Sequence, residues 1–334
     1  MSQATREELN SDDLKKNLEE LSTVGRSALL DLGSTVLGQS DVLTEALIAL
    51  VAQGHLLLEG PPGVGKTFML KALARASGLE MKRAQCTPEL MPSDVLGGAQ
   101  LQRGIDGPEL TFRKGPIFTE IFFADEINRA TPRTQSALLE AMGERQVSIE
   151  GERYELPETF MVVATQNPLD HEGTYPLPEA QSDRFFFKSL TPHPSKDTLD
   201  RLLNFDALTA LKQQNVLFNA EQLKRWSRAS VAVPLTPRAR ARLLKIVIHS
   251  RPKQAPKELA PLIEDGLSPR AARDLYRATQ IHAALQGRLA ANLEDLERCI
   301  APSLRHRLRL TWAARSGGVS ADEVLSSLVT FSRS

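Results

Sequence analysis

The run Gly60-Pro61-Pro62-Gly63-Val64-Gly65-Lys66-Thr67 constrains this chain more than any other stretch. It has a glycine, four free positions and then Gly-Lys-Thr, the pattern of a phosphate-binding loop. Ahead of it, His55-Leu56-Leu57-Leu58-Glu59 is short and apolar, as a buried parallel strand should be. Behind it, Leu70, Leu73, Ala74 and Ser77 recur at helical spacing, and Gly78 supplies a stop. Strand, glycine loop and helix are the setting the pattern needs. Glycines let successive N–H groups turn inward, and the helix N-terminus adds partial positive charge. The stretch therefore predicts a nucleoside triphosphate site formed by residues 60–67. Lys66 would reach the β- and γ-phosphates and Thr67 would ligate Mg²⁺. The bland alternative is a glycine turn with an accidental lysine, and the matching flanks weigh against it.

A second signal is Ile121-Phe122-Phe123-Ala124-Asp125-Glu126, an apolar strand ending in two carboxylates. Two acids after a strand are common at any turn. Downstream of a phosphate loop they acquire roles: Asp125 binds Mg²⁺ through water, and Glu126 polarises the attacking water. The pair implies hydrolysis rather than binding alone. A further buried strand, 160–165, runs into Gln166-Asn167-Pro168, where the Asn167 amide could orient water without carrying charge. Asparagine before proline is also routine turn chemistry, and only the order of the motifs lifts it. In Leu177-Pro178-Glu179-Ala180-Gln181-Ser182-Asp183-Arg184-Phe185-Phe186-Phe187, Arg184 reads either as one half of an ion pair with Asp183 or Glu179, or as an arginine finger for a neighbour's γ-phosphate.

Other stretches read as scaffold. Apolar spacing over 12–32 suggests one or two surface helices, after a polar, frayed start at 1–10. Residues 36–39 lead into a helix through Val42, Leu43, Ala46, Leu47 and Leu50, and are placed beside a base pocket. A second strand is expected at 80–85 and an irregular excursion at 86–98, broken by Pro88 and Pro92. Alternation around Gly104 and Gly107 suggests a hairpin over 99–112 that turns near 103–107. Thr131-Pro132 starts a helix through 135–143, and a second hairpin spans 145–156 about Glu150-Gly151-Glu152. Each hairpin is either plain connection or a tool aimed at a pore or partner. Beyond Pro192 and Pro194, helices are expected at 195–213, 220–230, 237–250, 269–287, 293–312 and 320–332, with short strand-like runs near Val231 and Ile246. Ser268 caps the fourth of these, and Arg270 follows Pro269 in its first turn, against the helix dipole. A phosphate across a cleft would give that charge a reason.

Bulk composition narrows the classes. The 334 residues suffice for two domains, and 41 Lys+Arg balance 41 Asp+Glu, so no overall basic field points to nucleic acid or an anionic membrane. The two cysteines, Cys86 and Cys299, are far apart and read as reduced buried thiols of a cytoplasmic protein. The start of the chain is charged and does not read as a signal peptide, and no apolar run is long enough for membrane insertion.

Taken together, Gly60 to Thr67, Asp125 with Glu126, Asn167, Arg184 and Arg270 resemble the AAA+ ATPases. The phrases Ala124-Asp125-Glu126-Ile127-Asn128-Arg129-Ala130, Ala164-Thr165-Gln166-Asn167-Pro168, Leu177-Pro178-Glu179-Ala180-Gln181 and Ser268-Pro269-Arg270-Ala271 look more narrowly like the MoxR family. The resemblance runs over nearly the whole chain from about Val36. It implies an α/β fold, an AAA+ P-loop αβα core with a parallel sheet and a helix-2 insert, followed by a small all-α lid. The division is then an N-terminal helical extension at 1–35, the core at 36–190 and the lid at 191–334. It further implies ATP and Mg²⁺, Asn167 as first sensor, Arg184 as a finger acting in trans and Arg270 as second sensor. Partners implied are copies of itself in a hexameric ring, a von Willebrand factor A-domain protein and a protein client, in the activation or assembly of metalloenzymes and complexes. Ser182 and Cys86 depart from the family's usual apolar residue and phenylalanine, at positions expected to lie away from the chemistry.

Two readings of other classes share the phosphate loop. A nucleic-acid motor or transcriptional activator would want basic hairpins, yet the stretch 147–155 carries more acids than bases. A small-molecule kinase predicts a monomer and no role for Arg270.

Overall fold

The computed structural model describes residues 11–104, 107–149, 151–167 and 174–333. The start at 1–10 that was expected to fray, residues 105–106 of the first expected turn, Glu150 and Pro168 lie outside the described residues. In chain order, α1 (Ser11–Thr35), α2 (Ser40–Val51), β1 (Leu56–Glu59), α3 (Lys66–Ser77), β2 (Met81–Gln85) and α4 (Pro92–Leu96) lead to a hairpin of β3 (Gly97–Gly104) and β4 (Gly107–Lys114). Next come β5 (Ile121–Asp125), α5 (Pro132–Glu144), a hairpin of β6 (Gln146–Ile149) and β7 (Glu152–Glu155), β8 (Met161–Gln166), α6 (Glu179–Ser182), β9 (Phe187–Leu190), α7 (Lys196–Leu203) and α8 (Ala207–Gln213). The rest is α9 (Ala220–Ser230), α10 (Pro237–His249), β10 (Ile263–Asp265), α11 (Pro269–Leu285), α12 (Leu293–Leu304), β11 (Arg309–Leu310), α13 (Trp312–Ser316) and α14 (Ala321–Ser332).

The chain forms two compact units, Thr35–Val216, and Leu217–Ser334 together with Met1–Ser34. In the first, the apolar runs assemble into one parallel sheet of order β2-β5-β8-β1-β9. A parallel sheet carries helices on both faces and so needs strands that are apolar throughout. Leu56, Leu57 and Leu58, Ile121, Phe122 and Phe123, and Met161, Val162 and Val163 meet that need, all buried. His55, ahead of β1, accepts the Val162 N–H at Nδ1 (3.0 Å), so its proton sits on Nε2, 3.1 Å from the Met142 carbonyl. One neutral ring thereby ties β8 to the last turns of α5. The two hairpins meet through a stack of Phe112 on Tyr154, centroids 4.1 Å apart, with Phe118 edge-on to both.

The compact units divide at 34/35 and 216/217, whereas the division expected was 1–35, 36–190 and 191–334. Residues 191–216 pack with the core because Arg75 donates to the carbonyls of Lys212 and Gln214 (2.8 Å each), and Thr35 donates to the Gln214 side chain (2.8 Å). Helix α1 up to Ser34 lies in the C-terminal unit. Its Glu20 accepts from Gln222 (2.9 Å), from the indole N–H of Trp226 (3.1 Å) and from Arg225 (3.2 Å).

Several local expectations also change. Helix α1 is a single helix, and the excursion at 86–98 contains α4. The helix expected over 195–213 breaks between α7 and α8, where Asp206 caps the second piece through the Thr209 N–H (3.1 Å). The one expected over 293–312 ends at Leu304, because Arg309 and Leu310 pair with β10. The C-terminal unit is helical, as expected, with one short two-stranded pairing of β10 and β11. Val231 follows the end of α9 and Ile246 lies within α10, so neither is in a strand.

Burial works to raise the Glu20 pKa, but the hydrogen bonds from Gln222, Trp226 and Arg225 and the Arg225 charge outweigh it and hold the carboxyl below its usual value. A depressed carboxyl stabilises the fold above its unfolded pKa, and that contribution is lost as pH falls through the folded one. Glu20→Gln should therefore flatten the acid limb of a stability–pH curve. Trp226→Ala, removing a fully buried ring, should cost about 3–5 kcal/mol in chemical unfolding.

Candidate active site

Sheet order brings the candidate residues together. Strand β8 lies between β1 and β5, all three running the same way, so their carboxyl ends lie side by side. The phosphate loop leaves β1, Asp125 and Glu126 leave β5, and Asn167 leaves β8. The loop's first residue is tied to the sensor strand, with the Gly60 N–H donating to the Gln166 carbonyl (3.3 Å). This is the crevice at the carboxyl ends of strands where open α/β sheets bind ligands.

Within the loop, Gly63 and Gly65 have φ of 79° and 89°, values that favour glycine. A side chain at Gly60 would stand 2.4 Å from the Thr191 carbonyl, so the backbones of the loop and of the residue after β9 are in close approach. Gly65 is the N-cap of α3, and Lys66 and Thr67 occupy its first turn. The Lys66 ammonium donates to the carbonyls of Gly60 (2.5 Å) and Pro61 (3.1 Å), folding the side chain back over the loop. Burial lowers its pKa, while the carboxylates of Asp125, Glu126 and Glu59 pull the other way. The lysine and both acids of β5 thus share one electrostatic environment.

The two acids are held firmly. One Asp125 oxygen accepts from Thr165 Oγ1 (2.6 Å), the other from Arg83 (2.6 Å). Glu126 sits in left-handed backbone, φ 57° and ψ 52°, strain of about 1–2 kcal/mol for a residue with a Cβ. Its N–H donates to the same Thr165 hydroxyl (2.7 Å), which fixes the turn. Gln85 (2.9 Å) and Arg129 (3.1 Å) both donate to Glu126 Oε2, while Oε1 has no hydrogen-bond partner among the described residues. Arg83, Gln85, Arg129 and Thr165 were not singled out by the sequence. Alternation along β2 puts Arg83 and Gln85 on one face, and the register of β2 with β5 was the missing information.

Cys86 lies nearer the chemistry than expected. Its N–H donates to the Asp125 carbonyl (2.8 Å), and burial, with help from the Asp125 and Glu126 charges, pushes its thiol up to about 12. It remains a thiol at neutral pH.

Beside the loop is a cavity of about 260 Å³, lined among others by Val36, Gly38, Gln39, Phe68, Pro194 and Phe205. Residues 36–39 thus flank an apolar slot next to the phosphate loop, as a base pocket requires. The slot, the glycine cradle with its lysine, and the oxygen donors Thr67 and Asp125 suit a nucleotide accompanied by a hard cation.

Arg184 is turned onto α5, where its Nη1 donates to the Leu139 carbonyl (2.5 Å). The glycine at 143 makes room, since a Cβ there would fall 2.1 Å from that nitrogen. Of the two acids considered as its partners, the Glu179 side chain lies outside the described residues. Arg270 belongs to the C-terminal unit. Ser268 caps its helix through the Ala271 N–H (3.1 Å), and Arg270 stands 4.0 Å from Asp274, which also binds the buried Arg307 (2.6 Å). Asp274, one turn on, offsets part of the charge at the helix start.

The fold and this arrangement define a P-loop ATPase of the AAA+ class. A family model described as the ATPase family associated with various cellular activities matches residues 55–187, and an AAA lid domain matches 258–328. Chaperone MoxR1 of Mycobacterium tuberculosis is 35% identical over 312 residues, covering 92% of this chain and 81% of that protein. The uncharacterised protein YeaC of Bacillus subtilis is 36% identical over 313 residues, covering 93% and 95%. A crystal structure from Cytophaga hutchinsonii, solved as a candidate ATPase, is 30% identical with a TM-score of 0.84 and covers 94% of this chain and 96% of that one. The chain belongs to the MoxR-type AAA+ ATPases. Proteins of the AAA+ family bind nucleotide and are generally oligomeric. No helix among the described residues is long and apolar enough to cross a membrane.

Thr165→Val keeps the shape of a buried side chain but removes the hydroxyl shared by Asp125 and Glu126. Steady-state phosphate release should show kcat down about tenfold or more, with KM for ATP little changed.

Proposed function

We propose that the chain is a chaperone-type motor that hydrolyses Mg²⁺·ATP to remodel, assemble or activate protein complexes. The observation that carries this reading is the alignment of β1, β8 and β5, which sets the lysine, the asparagine and the two acids along one edge of one sheet. In this reading residues 60–67 wrap the phosphates and Lys66 leaves its own carbonyls for the β- and γ-phosphates. Thr67 and Asp125 would hold Mg²⁺, and the ion would supply charge neutralisation on the phosphates.

Glu126 takes a proton from water through Oε1 as the water oxygen attacks the γ-phosphorus. The bond to the β–γ bridging oxygen breaks and ADP departs with the electron pair. Asn167 orients the water or the γ-phosphate as a neutral amide. Arg270 reports phosphate loss to the C-terminal unit, and the motion of that unit is the output.

Arg184 is assigned to a neighbour's γ-phosphate. Its guanidinium donates to the Leu139 carbonyl on α5, a bond it would leave to reach a neighbour's nucleotide. The active form is then an oligomer, a hexameric ring by family likeness, working in the cytoplasm with a von Willebrand factor A-domain protein and a protein client. Metalloenzyme maturation is the task this reading favours. The name of the mycobacterial relative, Chaperone MoxR1, supports the chaperone part of this reading alone.

Glu126→Gln should retain ATP binding and lose turnover by about 10²–10⁴-fold, since an amide cannot accept the proton. Full activity in that variant would remove Glu126 from the reaction. Arg184→Ala and Lys66→Ala, each inactive alone, should regain part of the wild-type rate when mixed, because an intact Arg184 then meets an intact Lys66 across an interface. Absence of any recovery in demonstrably mixed oligomers would refute the trans assignment.

A further inference from the structure

Strand β2 is the outermost strand of the parallel sheet, and its Arg83 stands opposite Phe123, two residues before Asp125. Alternation puts 83, 85, 123 and 125 on one face, so the arginine runs diagonally along that face to the acid. Its Nη2 donates to Asp125 Oδ2 and to Gln85 Oε1, 2.6 Å each, and the guanidinium carbon stands 5.8 Å from the centre of the Phe123 ring. Among the described residues no hydrogen bond holds its other two nitrogens.

The two donors on Asp125 differ in what they can do. Thr165, on Oδ1, is neutral, buried in an inner strand and also committed to the Glu126 turn. Arg83, on Oδ2, is charged, and its side chain is 46% exposed against 14% for Asp125. A guanidinium offers donors only, and the water molecules on a divalent cation turn their donors outward, so both compete for the same carboxylate oxygen. Like charges a few ångströms apart also repel, and more strongly beside protein than in open water. A half-exposed ion pair is weakly held, so an arginine on an outer strand can be released to solvent. Thr165 can stay.

We propose that Arg83 is a stand-in cation for the metal site: it holds Asp125 Oδ2 while no divalent ion is bound and turns out to solvent when one arrives with nucleotide. The inference rests on the assignment of Asp125 to Mg²⁺. Without the ion, Arg83 balances part of the charge that Asp125 and Glu126 bring close to Lys66. Because Arg83 has to be displaced, the ion is retained only where phosphate oxygens add further ligands. Arg83 is therefore a positioning residue that makes metal binding conditional on nucleotide.

The test uses Mn²⁺ as the probe on the full chain, with free ion measured by its paramagnetic resonance signal. In the presence of ADP, Arg83→Gln should bind Mn²⁺ about fivefold or more tightly than wild type, while Arg83→Lys, which keeps the charge, should stay within about twofold of it. Thermal unfolding separates this role from packing. Arg83→Gln should lose Tm in EDTA without nucleotide and recover that loss with saturating Mn²⁺ and ADP, whereas a packing residue would lose the same in both. Should the glutamine variant fail to fold, the wild-type chain decides: phenylglyoxal modification of Arg83, located by peptide mass, should rise about threefold or more when Mg²⁺ is added to the ADP complex. The role of Arg83 would be overturned, with the metal site left standing, by unchanged or weaker Mn²⁺ binding in folded Arg83→Gln, or by a lysine variant that matches it. Equal Tm losses in the two conditions, or modification that Mg²⁺ leaves unchanged, would overturn it as well. A wild-type chain that binds no Mn²⁺ even with ADP would overturn the metal assignment and this inference together.

Discussion

The hydrogen-bonded register of β1, β8 and β5 is the constraint on which the site depends. Leu57 stands opposite Ala164 and Ala124 opposite Ala164, so the three strands keep step to their carboxyl ends. A slip of one residue would reverse every side chain and displace Asp125 and Glu126 from the edge shared with Lys66. Burial on both faces makes that slip costly, because Phe122, Phe123, Val162 and Val163 would each have to leave a packed layer. The apolar runs thus fix the chemistry as well as the fold.

Around that edge the protein places charge sparingly. Lys66 lies half-buried among three carboxylates, and each acid of β5 meets an arginine, Asp125 through Arg83 and Glu126 through Arg129. Thr165 stands between the acids and serves both with one hydroxyl, donating to Asp125 and accepting from the Glu126 backbone. The left-handed turn at Glu126 is the local strain that this network holds in place. A carboxylate whose backbone and one oxygen are already fixed loses little further freedom when it acts, which is how rigid positioning contributes to rate.

Much of this was legible in the residues themselves. The phosphate loop, the two acids, the strand before Asn167 and both hairpins follow from local patterns, namely glycine spacing, apolar runs and alternation. What escaped were relationships made across the sheet or between distant segments. Arg83 and Gln85 look like ordinary residues of a short half-exposed strand until β2 is registered against β5. Thr165 reads as one more β-branched strand residue. The breaks at Asn204 and Leu304 were hidden because helical spacing continues through both. The grouping of α1 with the C-terminal unit depends on Glu20 meeting Trp226, some two hundred residues on, and no window of sequence reports that.

The central claim is that strand order makes Lys66, Glu126 and Asn167 address one γ-phosphate. A crystal structure of the assembled protein with Mg²⁺, ADP and aluminium fluoride tests this most directly. The account predicts that Lys66 leaves the carbonyls of Gly60 and Pro61 for the fluoride, that Glu126 Oε1 holds the in-line water, and that Asn167 lies within hydrogen-bond reach of one or the other. A complex in which the metal fluoride sits on the loop while Glu126 contacts neither it nor a water would contradict the account.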